Sequence, residues 1–232
     1  PRSTLSSSSA ASDVYKRQVT YSQIKEMFTA LLEFGWNPIL EKGNIIGMQR
    51  NKQRITTEPG LQCELSGAPL ENIHQVCSES SKFLKEIETA SKSLDVNTVS
   101  IGFDPFNSLS DIPQSPKSRY KIMTKEMPKG GKQSLEMMYR TCGIQINYDY
   151  TSEENFEKIF RLGNYLTPLT IALYSNSPFV SRKPIGYYSY RNKVWQNTSR
   201  GGIMPIAFEK VSFEKYFDHV TEYPILFVIR DK

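Results

Sequence analysis

The sequence predicts an α+β domain in which an antiparallel sheet is packed with helices. Apolar residues recur at helical spacing in some segments, and short runs rich in β-branched residues, separated by turn glycines, occur between them. Strands joined by short turns, with helices grouped on one side, are typical of this class. The length of 232 residues and the 38% hydrophobic content are sufficient for one large domain or two small ones.

The composition argues against a membrane protein, a nucleic-acid-binding protein and a zinc protein. No run reaches the roughly 18 consecutive apolar residues of a membrane-spanning helix. The net charge is +5, but basic residues are scattered among acids and no helix carries a basic stripe with interleaved aromatic residues. The three cysteines and two histidines show no zinc-ligand spacing. An anionic small-molecule substrate suits this charge pattern better.

The first 18 residues differ in composition from the rest of the chain. The string PRSTLSSSSAASDVYKRQ is rich in serine and almost free of large apolar residues. Transit peptides have this composition, but the string also resembles read-through of non-coding or adaptor sequence at the edge of a gene fragment. We therefore predict that residues 1–18 are a non-native or disordered leader and that residues 19–232 belong to the domain.

The first half of the domain is predicted to contain two helices separated by strands. A first helix ends before Gly35, and its apolar residues are Ile24, Met27, Phe28, Leu31 and Leu32. Residues 43–50 and 54–66 are interpreted as two or three consecutive antiparallel strands. Pro69 opens the second helix, whose predicted apolar stripe is Ile73, Val76, Cys77, Phe83, Leu84 and Ile87. Residues 96–105 then return to the sheet.

The middle of the chain combines a long loop with a short helix and a strand. The proline-rich loop 104–116 is longer than most passive connections, which favours a functional role, and it precedes the basic pair Lys117 and Arg119. A short helix follows over residues 119–127. Residues 140–150 alternate between apolar and polar side chains, which predicts a half-buried strand.

The remaining segments are predicted to form a long helix and an extended aromatic strand. The helix begins at Ser152 or Glu153 and is interrupted or kinked at Pro168. Residues 185–195, IGYYSYRNKVW, are aromatic and are interpreted as extended.

Two glutamates in the segment EPGLQCELS are candidate metal ligands. On one extended strand, Glu58, Gln62 and Glu64 would share a face, opposite Leu61 and Cys63. Mg²⁺ commonly binds one or two carboxylates together with water and substrate phosphates. Exposed acids on a solvated sheet face account for the same spacing.

Two further groups of polar residues are candidates for substrate binding. Gln145 and Asn147 lie on the polar face of the predicted strand 140–150 and offer carboxamides for hydrogen bonds, although solvent exposure explains them equally well. Arg191 lies among Tyr190 and Trp195. An arginine beside aromatic rings suits carboxylate or phosphate recognition, and a cation–π contact on a surface strand is the alternative.

Several stretches together resemble one family, the glutamate–cysteine ligases of the plant and proteobacterial type. The resemblance covers residues 21–232 and rests on the order and spacing of EPGLQCELSGAPLENIHQVC, IGFDPF, DIPQSPKSRYKIM, MMYRTCGIQINYDY, YSYRNKVW and GIMPIAF. It implies a glutamine-synthetase-like curved antiparallel sheet with helices packed on its outer face. It also implies an enzyme that uses ATP and Mg²⁺ to join the γ-carboxylate of glutamate to the amine of cysteine. The expected partners are these small molecules, with no nucleic acid and no membrane.

The resemblance also assigns roles to individual residues. These are Glu58 and Glu64 as metal ligands, Arg119 and Arg191 as catalytic and substrate-binding residues, Tyr190 and Trp195 as further substrate-binding residues, and Gln145 and Asn147 as ATP-binding residues. Loop 104–116 is expected to close over the acyl phosphate and to exclude water.

The sequence also departs from the family pattern. The family begins with a glutamate-rich segment of the form GTEHEKF and continues past the position of Lys232, and neither part is present. We therefore expect an internal fragment of the catalytic domain that is inactive by itself. A related carboxylate–amine ligase with another amine acceptor, or a non-catalytic binding module, remains an alternative. We expect a bacterial cytoplasmic location, or a plastid if the protein comes from a plant.

Overall fold

A seven-stranded antiparallel sheet forms the centre of the molecule. The computed structural model describes residues 5–13, 18–199, 201, 204–223, 225–226 and 228. The strands are β1 (Leu5–Asp13), β2 (Asn37–Glu41), β3 (Asn44–Arg50), β4 (Gln53–Thr57), β5 (Cys63–Ser66), β6 (Val96–Val99) and β7 (Ile144–Ile146). Their order is β2-β3-β4-β5-β1-β6, and β7 also pairs with β1. A separate hairpin joins β8 (Phe179–Val180) to β9 (Lys183–Pro184).

Helices occur along most of the chain. They are α1 (Tyr21–Ala30), α2 (Ile73–Lys92), α3 (Ser118–Glu126), α4 (Ser134–Arg140), α5 (Glu153–Leu173), α6 (Tyr190–Gln196) and α7 (Phe213–Thr221). The predicted α+β class is therefore confirmed. Within the part of the chain that the structure describes, no helix is long and apolar enough to cross a membrane.

The main core lies between α1, α2 and the sheet. Helix α1 begins with a capping box between Thr20 and Gln23, and Gly35 follows the helical region in the left-handed conformation with φ of 80°. The buried apolar residues of this core include Ile24, Phe28, Leu31, Trp36, Met48, Ile55, Leu65, Phe83 and Ile87. The first helix and its stop at Gly35 agree with the prediction.

Helix α2 differs from its predicted stripe. It begins after the N-cap Asn72 rather than at Pro69, and Ile73, Cys77 and Leu84 are exposed. Its buried residues are Glu79, Phe83, Glu86, Ile87, Ala90 and Ser91. Two buried glutamates belong to this face because they have hydrogen-bond partners in the core, which an apolar pattern alone does not reveal.

The structure places part of the expected leader inside the sheet. Residues 6–9 of β1 pair with β5, residues 10–13 pair with β6, and residues 5–7 pair with β7. This differs from the disorder that we expected there, because strand pairing uses main-chain hydrogen bonds that a serine-rich segment supplies as well as an apolar one. Residues 1–4 and 14–17 lie outside the described residues, and the non-native origin of the segment stays a prediction.

Two predicted extended segments are wrong in detail. The strand predicted over 140–150 is limited to β7, and Ile144, Ile146 and Tyr148 are all more than half exposed, so their face is not buried. The aromatic segment 185–195 contains α6, which Ser189 begins by accepting a hydrogen bond from the backbone N–H of Asn192. A local cap therefore overrides the strand propensity of the aromatic residues.

The other segments in this half agree more closely with the sequence. Helix α3 lies where the short helix was predicted, and Ser152 caps α5 as expected. Pro168 lies inside α5 and does not end it. Strand β2 and helices α4 and α7 were not predicted.

Candidate active site

The turn between β4 and β5 brings Glu58 and Glu64 together. The two glutamates are not on one extended strand, because the chain reverses after Thr57: the Glu58 N–H donates to the Gln62 carbonyl at 2.8 Å, and Leu61 has a φ of 65°. Thr56 lies opposite Glu64 in the β4–β5 pair. Glu58 is two residues beyond Thr56, which places it on the side of the hairpin that carries Glu64.

The Glu64 carboxylate affects the pKa of Glu58. Burial raises the pKa of Glu58 above its usual value, and the nearby Glu64 carboxylate raises it further. Lys117, Arg119 and a hydrogen bond from Tyr120 oppose this rise. A cation bound between the two acids would weaken their repulsion, as Lys117 and Arg119 already do in part.

Lys117 and Tyr120 connect the start of α3 to this turn. The Lys117 ammonium, only 5% exposed, donates to the Thr57 carbonyl at 2.7 Å, and the Tyr120 hydroxyl donates to the same carbonyl at 3.1 Å. The Tyr120 hydroxyl also lies 3.4 Å from a carboxylate oxygen of Glu58. Burial, with a smaller effect of Arg119, lowers the pKa of Lys117 to about 8.

Arg119 lies beside the same tyrosine. Its guanidinium donates to the Tyr120 hydroxyl at 3.0 Å and lies 4.9 Å from the centre of the Tyr120 ring. Burial lowers the pKa of Arg119, but the hydrogen bond to Tyr120 and the carboxylates of Glu58 and Glu41 raise it by more. We call Glu58, Glu64, Lys117, Arg119 and Tyr120 the acid–base cluster. Sequence reasoning did not assign Lys117 a role, although its position next to Arg119 at the end of the proline-rich loop was a signal.

Arg191 occupies a second site, formed by α6 and the residues before β7. Its Nε donates to the Cys142 carbonyl at 2.7 Å, and its guanidinium carbon lies 5.4 Å from the centre of the Trp195 ring. A Cβ atom at Gly143 would be 2.6 Å from Nη2 of Arg191, so a larger residue there would displace the end of this side chain from its observed position. Burial lowers the pKa of Arg191, which nevertheless stays charged at neutral pH.

Tyr190 and Trp195 flank this arginine on α6. The Tyr190 hydroxyl accepts a hydrogen bond from Gln133 at 3.1 Å, and its ring packs edge-on against Phe103 at 4.9 Å. The indole Nε1 of Trp195 is buried and has no hydrogen-bond partner among the described residues. The Trp195 donor is therefore enclosed by the chain, and the Tyr190 hydroxyl is already bonded within it.

Gln62 connects the two sites and does not share the open face with the glutamates. Its side chain is 2% exposed and donates to the Thr141 carbonyl at 3.1 Å, while its oxygen accepts from the Gly60 N–H at 2.8 Å. Thr141 precedes Cys142, whose carbonyl binds Arg191. One run of hydrogen bonds thus joins the turn of Glu58 to the segment that holds Arg191.

Gln145 lies on the same face of the sheet as Glu64. Ser8 of β1 pairs with Glu64, and Ser6 pairs with Gln145. Paired residues project from the same face of a sheet, as do residues two apart on one strand. Asn147 follows the end of β7, and both carboxamide residues are exposed.

Loop 104–116 is held against the body of the molecule. The Asp104 N–H donates to the Arg140 carbonyl at 2.8 Å, and the Ser115 N–H donates to the Pro59 carbonyl at 2.9 Å. Ile112, in the middle of the loop, is buried in a small second core with Met127, Met138 and Tyr139. These contacts argue against the expected closing movement of the loop.

The acids of the cluster are few. No group of three or more His, Cys, Asp or Glu residues that could hold a metal ion occurs among the residues described. Glu58 and Glu64 can still supply the two carboxylates that Mg²⁺ commonly takes from a protein when phosphates and water complete its coordination.

Comparison with known proteins identifies the family. The family model "Glutamate-cysteine ligase family 2" matches residues 14–232. The chloroplastic glutamate–cysteine ligase A of rice (Oryza sativa subsp. japonica) is 43% identical over 220 residues, which cover 93% of this chain and 45% of the relative. The chloroplastic enzymes of tobacco (Nicotiana tabacum) and Arabidopsis thaliana are 42% and 41% identical, and the matches cover 93% and 92% of this chain and 42% of each relative. The chain thus spans less than half the length of these curated relatives, but the family model covers nearly all of it, so the chain belongs to the glutamate–cysteine ligase family 2.

Proposed function

We propose that this chain is part of an ATP-dependent ligase that joins the γ-carboxylate of L-glutamate to the amine of L-cysteine through γ-glutamyl phosphate, the first step of glutathione biosynthesis. The observation that carries the proposal is the acid–base cluster, where the Glu64 carboxylate lies close enough to raise the pKa of Glu58, beside Lys117 and Arg119. Phosphoryl transfer depends on positioning and on neutralising charge, and this cluster supplies both signs of charge in one place. Membership of the family supports the same reaction.

Glu58 and Glu64 are the residues that would hold Mg²⁺. Burial of Glu58 and the nearby Glu64 carboxylate both raise the pKa of Glu58, and a cation bound beside these acids would offset that effect. When bound, the metal would neutralise the phosphate oxygens of ATP. Lys117 and Tyr120 hold the Thr57 carbonyl, and so keep the turn that carries Glu58 in place.

The arginines would bind the amino-acid substrates. Glutamate and cysteine each have an α-carboxylate, and an arginine fork binds carboxylates through two parallel hydrogen bonds. Arg191 is held through Nε by the Cys142 carbonyl, which leaves its two terminal nitrogens to face a substrate. The Trp195 ring would pack against this substrate beside Arg191. We assign Arg119 to the carboxylate nearer the metal and Tyr190 to packing beside Arg191.

Gln145 and Asn147 would bind the nucleotide. Gln145 projects from the face of the sheet that carries Glu64, so ATP could lie across β1 with its phosphates near the acids. We further propose that the sheet is curved, as in glutamine synthetase, with this face on its concave side.

The names of the relatives favour a plastid over the bacterial cytoplasm that the sequence first suggested.

Titration of ATP into the 232-residue chain by calorimetry tests the metal site. We expect ATP to bind more tightly with Mg²⁺ than without it, and we expect Glu64→Gln to abolish the difference. Glu88→Gln is the matched control, because Glu88 is an exposed acid on α2. ATP binding that ignores Mg²⁺ in the unmodified chain would favour a non-catalytic module instead.

Kinetics of the complete rice enzyme test the assignment of Arg191. Alanine at the position aligned with Arg191 should raise the KM for one amino acid at least tenfold and leave the KM for ATP within about twofold, since each lost charge-assisted hydrogen bond costs about 1.5–3 kcal/mol. Equal effects on both substrates would contradict this role. Turnover with amines other than cysteine at comparable kcat/KM would favour the related carboxylate–amine ligase.

A further inference from the structure

Helix α5 exposes an apolar face that the described chain leaves largely uncovered: the Tyr165 ring lies edge-on against Phe208 at 6.1 Å, and the leucines beside it are exposed. None of its 21 residues is buried. Leu162, Leu166, Leu169 and Leu173 are 58%, 43%, 55% and 68% exposed, and Tyr165 is 59% exposed. We call these five side chains, together with Tyr148, the α5 surface.

The leucines of the α5 surface form a single stripe. They follow one another at intervals of four, three and four residues, which places them on one face of a helix. Such a stripe normally packs against another element, as it does in α1, where Ile24, Met27 and Phe28 are buried. Monomeric proteins rarely expose a contiguous apolar patch of this extent unless it serves an interaction.

A groove runs beside the leucine stripe and shares Leu162 and Leu166 with it. Its volume is about 450 Å³, and its lining includes Tyr148, Leu162, Gly163, Leu166 and Ile171. A Cβ atom at Gly163 would meet nothing within 4 Å, so the middle of the groove is open. The groove therefore has room for side chains of a further element.

The lengths of the relatives show how much further polypeptide the family has. More than half of the rice, tobacco and Arabidopsis enzymes lies outside the stretch that matches this chain, since the matches cover 42% to 45% of their lengths. A segment of the same polypeptide would be present at a high effective concentration, whereas a second copy of the chain would have to be recruited from solution.

We propose that the α5 surface is an interface inside the complete family domain, covered by an apolar segment from the part of the family polypeptide that these 232 residues do not represent. The segment presents leucine-like or aromatic side chains to the groove along the leucine stripe. The interface is independent of the proposed chemistry, because it concerns packing and involves no residue of the acid–base cluster or of the Arg191 site.

The same truncation in two chains of different length tests the proposal. In the complete rice enzyme, alanine at the position aligned with Leu166 should lower the Tm by roughly 5 °C or more, because a buried leucine leaves a cavity when it is truncated. In the 232-residue chain, Leu166→Ala should change the Tm by no more than about 1 °C, because the side chain is already 43% exposed. Leu84 is the matched control, since it is a leucine on another helix with a similar exposure of 47%, and its truncation should be nearly neutral in both chains.

Two results would overturn the proposal. The first is evidence from the rice enzyme that the position aligned with Leu166 is not buried: either a polar residue stands there, or its replacement by alanine changes the Tm no more than the Leu84 control does. The other is sedimentation equilibrium in which the 232-residue chain dimerises and Leu166→Asp makes it monomeric, because the occupant is then a second copy. The readout is thermal stability, so loss of ligase activity in another experiment does not affect it.

Discussion

At the scale of single residues, Glu86 is the centre of a buried hydrogen-bond network in the main core. Its two carboxylate oxygens accept hydrogen bonds from Nε1 of Trp36 and from Arg50, each at 2.8 Å, and its side chain is almost fully buried. The Arg50 guanidinium also lies 4.2 Å from the centre of the Trp36 ring. This carboxylate therefore connects three parts of the fold: helix α2, Trp36 between α1 and β2, and Arg50 at the end of β3.

Replacing Glu86 with glutamine should destabilise the protein by about 1–3 kcal/mol, because the variant leaves the Arg50 charge unpaired in the core. Urea unfolding followed by circular dichroism measures this difference. Glu88→Gln is the control: Glu88 pairs with Lys92 on the surface of α2, so its loss should cost less than about 0.5 kcal/mol. Equal effects of the two substitutions would contradict the importance of the buried network.

Lys117 should make stability depend on pH. Its pKa in the folded protein is about 8, below the usual lysine value of 10.5, so between these two values the unfolded chain binds the proton more tightly. Stability should therefore rise as the pH rises through this window, because the cost of burying the ammonium disappears. Burial of the carboxyl of Glu58 acts at lower pH, where its raised pKa favours the folded state as the pH falls.

The variant Lys117→Met should lack this rise. Between pH 7 and pH 9.5, the unmodified chain should gain about 2 kcal/mol relative to the variant, measured by urea unfolding at both values. Lys121→Met, at an exposed position of α3, is the control and should leave the slope unchanged. A Lys117→Met protein with the original slope would show that another group titrates.

The candidate site illustrates what single residues reveal in a sequence. The sequence indicates that Glu58 and Glu64 lie together, but the predicted geometry is wrong. The prediction places both on one extended strand, whereas the chain turns between them. Lys117 was missed, since its partner is a main-chain carbonyl 60 positions away, which no local pattern indicates. The roles of Arg119, Arg191, Gln145 and Asn147 stay predictions.

At the scale of elements, two glycines show how position decides the effect of the same substitution. Gly163→Ala should stabilise the described chain by about 0.5–1 kcal/mol, because alanine favours a helix interior and its methyl group meets open space. Gly35→Ala should destabilise it by a comparable amount, because Gly35 has a φ of 80° that an L-residue adopts only with strain.

Thermal unfolding of the two glycine variants measures both changes. Opposite shifts in Tm are expected. A loss of stability in Gly163→Ala would mean that some part of the chain beyond the described residues already contacts the α5 surface.

The elements that sequence reasoning predicted correctly are those with a strong local signal. α1 has its capping box and terminal glycine, and α3 and α5 have helical spacing or a cap. β7 and α6 were predicted less well. The alternation around β7 predicts a buried face, but all three residues of β7 are exposed. The aromatic segment predicts a strand, but its second half belongs to the helix α6 (Tyr190–Gln196).

At the scale of the whole molecule, we expect the 232-residue chain to show no ATP-, glutamate- and cysteine-dependent release of phosphate. The chain matches 45% of the rice relative, and we expect the rest of such an enzyme to supply groups that orient ATP and the acyl acceptor. A phosphate-release assay with the complete rice enzyme as the positive control measures this. Robust turnover by the 232 residues would show that the described site is sufficient.

The sequence by itself determined the α+β class, the family, the approximate limits of α1 and α3, and the start of α5, because periodicity, caps and motif order are local properties. Only the tertiary structure decided that the serine-rich segment pairs between β5 and β6, that Glu79 and Glu86 are buried, and that the α5 surface is exposed. The physical reason is that strand pairing and burial depend on which distant main-chain and side-chain partners are available, and the residue types at one position do not contain that information.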